Sequence, residues 1–254
     1  MRIVTFNLRC PWDGDGVNSF IHRAGMIYEK IRAERPEVIA FQEVTPKNFD
    51  FLYNSLSDIY DVQVRYRSEN YDGEGLAIAL LRSSVEFLHC KSFWLSPTPD
   101  VPGSRFENQS HCPRITVFTI VREKLSGRKL RICNVHLDHR SDEARILGAR
   151  LLLSALEKER ADIETVILGD MNADPASCTI AEFRDSSLRL TDLTDGIDVS
   201  FHDYGRKAEK IDYVFATEEL ARDFESARIW DDVHSGIYLS DHYPIEVSLK
   251  YTLK

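Results

Sequence analysis

Apolar residues recur along this chain in two rhythms. Short apolar or alternating runs, each bounded by charged or turn-forming residues, predict strands. They are RIVTFN from Arg2, EVIAFQE from Glu37, YDVQVRY from Tyr60, LAIALLR from Leu76 and VEFLHCKSFWL from Val85. They continue with RITVFTIV from Arg114, KLRICNVHL from Lys129, TVILGDMN from Thr165, KIDYVFA from Lys210 and YPIEVSLKY from Tyr243. Helical spacing appears at Phe20, Ala24, Ile27 and Ile31, in a stretch that must stop before Pro36, and again at Ile146, Ala149, Leu153 and Leu156. The second helix starts at Asp142, with Ser141 as its cap and Asp142 and Glu143 in its electropositive first turn. A strand, helix, strand opening followed by strands in succession breaks the regular alternation of a parallel sheet, so a mixed sheet is expected. Many strands and few helices imply an α/β (α+β) chain: a four-layer α/β/β/α sandwich of two packed mixed sheets, one domain over residues 1–254.

Composition adds limits. The chain has 254 residues, 43% hydrophobic and 29% charged, enough for a sizeable core. No run approaches a membrane span, and the apolar stretch in MRIVTFNLRC is shorter than the core of an export signal. Five cysteines without C-x-x-C spacing indicate neither a disulfide framework nor a zinc ribbon, so a reducing cytoplasm is the expected location. A net charge of -9 argues against holding duplex nucleic acid through a basic face, unless some of the acids gather around a metal. Residues Ser96 to Arg114 hold four of the nine prolines, and a loop so long and stiff is expected either on the substrate side or as a surface excursion.

The chemistry collects at strand ends. TVILGDMNADP places Asp170, Asn172 and Asp174 at alternate positions after a buried strand. An EF-hand is excluded, because its sixth position is Pro175 where glycine is needed and its twelfth is Ala181 where a bidentate glutamate is needed. Similar endings recur: Asn7; Gln42 and Glu43; His136 and Asp138; Asp212; Asp241 and His242. Polar groups at the edges of apolar strands are costly to bury without partners. Gathered at one rim of a sandwich, they would form a single polar pocket on a rigid frame.

In order, FN, FQE, N-x-H-L-D, GD-x-N, IDY and SDH, from Phe6 to His242, resemble the endonuclease/exonuclease/phosphatase superfamily, the metal-dependent phosphoesterases with the DNase-type fold. FWLSPTP resembles an uncharacterised bacterial branch. The resemblance implies magnesium (Mg2+, with Mn2+ as a substitute) held by Glu43, with Asn7 and Asp241 as metal-side residues. It implies that Asp170 and Asn172 position and activate the attacking water, and that His242, oriented by Asp212, hydrogen-bonds the scissile phosphate. His136 stands where the apurinic-site repair branch carries tyrosine, which turns the comparison toward nuclease, sphingomyelinase, inositol-phosphatase and deadenylase branches.

The division of labour is coherent on physical grounds as well: a hard dication suits one or two carboxylates plus waters, and a carboxylate-oriented imidazole is readily cationic beside a phosphate. Arg114 and Arg145 are candidates to clamp substrate phosphate, with a surface salt bridge as the alternative for either. Asp138 contacts substrate or makes a structural hydrogen bond, His202 reaches the rim, and Trp94 stacks on a ring or packs in the core. Asp174, before Pro175, reads as a turn residue and His139 as a solvated loop histidine. The expected activity is hydrolysis of a phosphodiester such as a single-stranded or 3′-end nucleic acid, with a small sugar or inositol phosphate as the alternative. A binding module that lost catalysis on the same fold is the non-enzymatic alternative. No membrane association and no obligate protein partner is expected.

Overall fold

The computed structural model describes residues 1–159 and 163–250; Tyr251, the last residue of the predicted terminal strand, lies outside them. The chain opens with β1 (Arg2–Asn7), α1 (Phe20–Glu34) and β2 (Val38–Val44), continues through α2 (Pro46–Leu56), β3 (Tyr60–Tyr66), β4 (Gly75–Leu81) and β5 (Val85–Trp94), and reaches β6 (Ile115–Glu123) and β7 (Lys129–His136). Then come α3 (Asp142–Glu157), β8 (Glu164–Asp170), α4 (Cys178–Arg184), β9 (Leu190–Asp192), β10 (Asp212–Thr217) and α5 (Glu218–Ala221), followed by β11 (Phe224–Ile229), β12 (Val233–His234), β13 (Ile237–Tyr238) and β14 (Ile245–Leu249). One six-stranded sheet runs β11-β14-β1-β2-β4-β3, the other β5-β6-β7-β8-β10-β9, and β12 pairs with β13 apart from both. The expected sandwich of two mixed sheets with flanking helices is the observed fold.

Alternation along the strands builds the layers. Ile3, Val38, Ala40, Ile78 and Val247 of one sheet meet Val121, Ile132, Val166, Leu168 and Val214 of the other in the central core. Their outward neighbours Val4, Phe6, Ile39 and Phe41 pack on Ile27 and Ile31 of α1 and Leu52 and Leu56 of α2. On the far side Cys133, Val135, Ile167 and Phe215 pack on Leu152, Leu153 and Leu156 of α3 and Phe183 of α4.

Several elements were not predicted. The segment after β2 forms α2, its start fixed by a capping box in which Thr45 and Asn48 satisfy each other's backbone N–H groups. Its signal is an N-cap threonine and a proline at the first turn, which the polar Lys47 and Asn48 interrupt. The helix α4 and strands β9, β12 and β13 are too short to carry a period.

The topology delivers the site. Parallel pairs β1/β2 and β7/β8 send four carboxyl ends to one rim, and antiparallel β10 starts there, with Asp212 paired opposite Asp170. Asn134 of β7 ties the sheets together beneath that rim, donating to the carbonyls of Phe41 and Ala77 while accepting from Gln42. Arg23 of α1, fully buried, donates to the carbonyls of Leu8, Arg9, Asn18 and Leu239, pinning the chain that leaves β1 to the chain that enters the segment of Asp241. Among the described residues no helix is long and apolar enough to cross a membrane.

Candidate active site

Local backbone geometry aims the key side chains. The ladder between β2 and β4 slips between Phe41 and Val44, and within that bulge Glu43 has φ 57, which turns its carboxylate to the rim. At the end of β8, Gly169 has φ 143, and a Cβ there would lie 1.9 Å from the Val135 carbonyl oxygen. Only glycine lets β8 approach β7 so closely, which is the structural reason for the Gly in GDMN. Asn172 follows with φ 48.

Asn7 is the hub. Its Nδ2 donates to Glu43 Oε1 and to Asp170 Oδ2, both at 3.1 Å, and lies 3.4 Å from His242 Nε2. Its Oδ1 accepts from the Arg9 N–H at 2.9 Å. Glu43 Oε2 accepts from the Cys10 N–H at 2.8 Å. Asp170 Oδ1 accepts from the Asn172 N–H at 2.8 Å, and Oδ2 lies 3.4 Å from His136 Nε2. His242 Nδ1 and Asp212 Oδ2 are 2.8 Å apart, and the ring packs on Phe201 with centroids 4.8 Å apart. Asp241 lies 3.6 Å from Arg9 Nε and accepts from the Ser240 hydroxyl.

Burial and charge set opposed proton affinities. Burial, and then the neighbouring Asp212, push the Asp170 carboxyl up to about 7. Burial alone would lower His242, but the charge and hydrogen bond of Asp212 and the charges of Asp170 and Asp241 outweigh it and raise the imidazole to about 10. Burial works against the Glu43 anion too, yet the Cys10 N–H, His242 and Arg9 hold it below the usual glutamate range. Asp241 is raised by burial. His136, buried and facing Arg114 and Arg67, is driven well below its ordinary value and is therefore neutral. A carboxyl poised near neutrality beside an imidazolium is an acid/base pair whose environments separate their roles.

Oxygen donors predominate where a cation would sit. Glu43 and Asp241 present carboxylate oxygens, the donor type of a hard dication such as magnesium, while Asn7 turns its amide nitrogen to Glu43 and keeps its oxygen on the Arg9 N–H. Asp170, Asp212 and His242 form a tighter group, with one ligand atom from each within 4.8 Å of the others, but the Asp212–His242 bond already occupies it. The acidic oxygens around Glu43 fit the metal better.

Every catalytic and metal-side candidate lies at this rim, while the substrate-side candidates divide. Asp138 spends its oxygens on the Ser110 hydroxyl and the N–H groups of Ser110, Arg140 and Ser141, so it organises the loop before α3. Arg145 donates to the Asp138 carbonyl and pairs with Asp142, bracing the same loop. Of the two readings of Trp94, packing in the core holds and stacking on a substrate ring does not: the residue is 7% exposed, packs with Leu76, Ile115 and Val117, and its Nε1 donates to the Arg67 carbonyl at 2.7 Å. A tryptophan at a strand end whose polar handle finds a carbonyl gains more from burial than from facing water. His202 also lies inside, stacked on Tyr243 at 3.9 Å and lowered to about 4 by burial and by His242, so it backs the site without reaching solvent. His139 is exposed, with Nδ1 3.0 Å from Arg114 Nη2. Arg114 is 4% exposed, and its burial beside Arg67 lowers it to about 10.

Sequence reasoning passed over Arg9, Arg67 and Glu74. Arg9 bridges Asp15 and Asp241 beneath the rim, and Arg67 pairs with Glu74 at 2.8 Å where β3 ends and β4 begins. Their only signal is a charged residue just beyond a strand end, one that surface positions share.

Asp174 is exposed, and its Oδ1 accepts from the Ala176 N–H at 2.9 Å, closing a turn ahead of α4. Asp174→Ala is expected to lower stability by no more than about 1 kcal/mol and to leave turnover within about twofold, since single surface changes rarely act further. Denaturant unfolding and steady-state kinetics check this, and a severe loss of turnover without loss of stability would give Asp174 a chemical role.

Known proteins share the fold. A protein from Bacteroides vulgatus described as an endonuclease/exonuclease/phosphatase superimposes with a TM-score of 0.89 at 26% identity, covering 98% of each chain. A mannosyl-6-phosphatase from Bacteroides thetaiotaomicron superimposes at 0.88 with 21% identity, covering 99% of this chain and 100% of its own, a likeness of fold. An uncharacterised protein of Acanthamoeba polyphaga mimivirus is 28% identical, covering 89% of this chain and 90% of the viral one. The sequence profile of the Endonuclease/Exonuclease/phosphatase family matches residues 4–242, and so the chain belongs to that family, whose members are phosphoric ester hydrolases.

Proposed function

We propose that this protein is a magnesium-dependent phosphoesterase in which a water held at Asp170 attacks phosphorus in line with the leaving oxygen, manganese serving as a substitute. The observation that carries the reading is the pairing, within one rim, of an Asp170 carboxyl raised to about 7 with a His242 imidazole raised to about 10. A phosphate ester resists hydrolysis because its oxygens repel a nucleophile; a dication bound here would neutralise them and the charge growing on the leaving oxygen. Glu43 would hold it, with Asn7 and Asp241 alongside. Asp170 accepts the water's proton at Oδ2, the oxygen not bonded to the Asn172 N–H. Asn172, whose amide nitrogen is fixed on the Leu137 carbonyl at 3.1 Å, offers its amide oxygen to orient the same water. His242, held at Nδ1 by Asp212, donates from Nε2 to a phosphate oxygen, and neutral His136 donates beside it.

The first substrate reading is a phosphodiester in a short single-stranded or 3′-end nucleic acid, since a net charge of -9 does not suit a duplex. Likeness to a mannosyl-6-phosphatase favours a small sugar phosphate as the second. A catalytically silent binding module is disfavoured because every position assigned to chemistry carries a residue able to perform it. The test is hydrolysis of bis-p-nitrophenyl phosphate, RNA, DNA, sugar phosphates and inositol phosphates with magnesium or manganese, with and without chelator. Metal-dependent cleavage of any supports the reading, and none by folded, metal-saturated protein ends it.

A linked prediction concerns pH. Asp170 and His242 both bind protons more tightly folded than unfolded, so the metal-free protein should lose stability as pH rises from about 4 to about 10. A dication favours the ionised carboxylates, so magnesium should raise Tm more at pH 8 than at pH 5. Thermal melts in chelator and in excess magnesium measure this, and an equal shift at both pH values would separate the metal from Asp170.

A further inference from the structure

We infer that Trp12 is a stacking platform at the edge of the hydrolytic centre, and that the substrate carries a nucleobase beside the phosphate attacked. The inference rests on the phosphoesterase reading and narrows its substrate. Of the three tryptophans, Trp94 and Trp230 are buried, whereas Trp12, in the segment between β1 and α1, is 58% exposed. The ring is nevertheless seated. A Cβ on Gly14 would lie 2.5 to 2.7 Å from Cζ2, Cε2 and Cη2 of the indole, and near-equal distances to three adjacent atoms put it over the ring and not at its edge. A side chain there would push the ring away, so glycine lets the indole lie against the backbone. The Arg9 guanidinium also stands over the indole, 5.2 Å from the ring centroid. An indole covered on both faces keeps only its edge in water, so 58% exposure leaves a flat surface open to a ligand.

The segment that carries Trp12 is tied to the chemistry. Just before it, the Arg9 N–H donates to Asn7 Oδ1 and the Cys10 N–H to Glu43 Oε2. Arg9 Nε is 3.6 Å from Asp241, so one guanidinium separates the indole from a metal-side carboxylate. Asp15 holds that guanidinium through two hydrogen bonds of 3.1 Å and itself accepts from the Tyr204 hydroxyl at 3.1 Å. Arg23 pins the carbonyls of Leu8 and Arg9 from inside. A ring placed by so many contacts loses little freedom when a ligand settles on it. Stacking needs no matched hydrogen bonds, so such a surface takes any base. It suits the open base faces of a single strand, which a duplex keeps within its own stack.

Two readouts test the platform. Thymidine 5′-(p-nitrophenyl phosphate) and methyl p-nitrophenyl phosphate are diesters that differ in the nucleoside, and the wild-type kcat/KM should favour the first by about fivefold or more. Trp12→Ala should bring that ratio toward one by raising KM for the thymidine ester, and Trp12→Phe should keep most of it. Because Trp94 and Trp230 are buried, the tryptophan emission that iodide quenches belongs to Trp12. Thymidine 5′-monophosphate should quench that emission saturably, whereas ribose 5-phosphate and glucose 6-phosphate should not, measured with magnesium in Asp170→Asn so that no ligand is consumed. Equal kcat/KM for the two diesters in the wild type, or a ratio unchanged in Trp12→Ala, overturns the platform. Quenching by the sugar phosphates as strong as by the nucleotide overturns the nucleobase in favour of a sugar. If the folded wild type hydrolyses neither diester, that failure counts against the phosphoesterase reading, and the fluorescence titration alone judges the platform. Saturable quenching by the nucleotide then upholds it, and none refutes it.

Discussion

Asp170→Asn is expected to lower kcat by about 10²- to 10⁴-fold while leaving Tm unchanged or higher. The amide keeps the oxygen that accepts the Asn172 N–H, so the turn after β8 is preserved. What disappears is the proton acceptor and, with it, the oxygen that accepts from Asn7 Nδ2. In the native site the carboxylate form is disfavoured by burial and by Asp212, so a neutral isostere relieves a cost that the acid carries. Activity and stability should therefore move in opposite directions, the signature of a residue kept for chemistry. Steady-state kinetics on the best substrate and thermal melts in chelator read the two effects. A kcat within threefold of wild type would remove Asp170 from the role of base.

His242→Ala should cost about 10² to 10³ in kcat and, unlike the first change, should also destabilise the protein. Removing the imidazole takes away the Nε2 donor aimed at phosphate and strands Asp212, which is buried and bonded to His242 Nδ1 at 2.8 Å. A buried carboxylate deprived of its cation costs on the order of several kcal/mol. Asp212→Asn should lower kcat through loss of orientation. The double variant Asp212→Asn/His242→Ala should be no slower than His242→Ala, because the two act as one unit, and should recover much of the lost stability because no anion is left stranded. Strictly multiplicative losses in kcat would show that Asp212 acts on substrate independently of His242.

The architecture was legible where apolar alternation is long: the ten predicted strands correspond to β1 to β8, β10 and β14. The site was legible because its residues end those strands, and a polar group closing a buried run stands out against it, as Asp170 does after TVIL. Legibility failed where the signal is short or shared. The helix α2 hides behind polar residues in its first turn, and its capping box pairs Thr45 with Asn48 where the recognisable signature has glutamate or glutamine. His202 was drawn toward the rim by its place before KIDY and Trp94 was left between ring stacking and the core, yet a ring whose polar atom finds a carbonyl or a backbone N–H inside is stabilised by burial. Arg67 and Glu74 were invisible, since a salt bridge at the end of an edge strand looks the same in sequence whether it faces a pocket or water. Asp138 shows the reverse: its motif suggested chemistry, and its hydrogen bonds hold a loop.

The central claim is that water at Asp170 attacks phosphorus with a dication in place. It is tested most directly by hydrolysing the best substrate of the panel in oxygen-18 water and weighing the phosphorylated product. One solvent oxygen should appear on phosphorus per turnover, at a rate that falls to background in chelator, returns with magnesium and is lost in Asp170→Asn. Product formed without label on phosphorus, or at the same rate in chelator, would contradict the account.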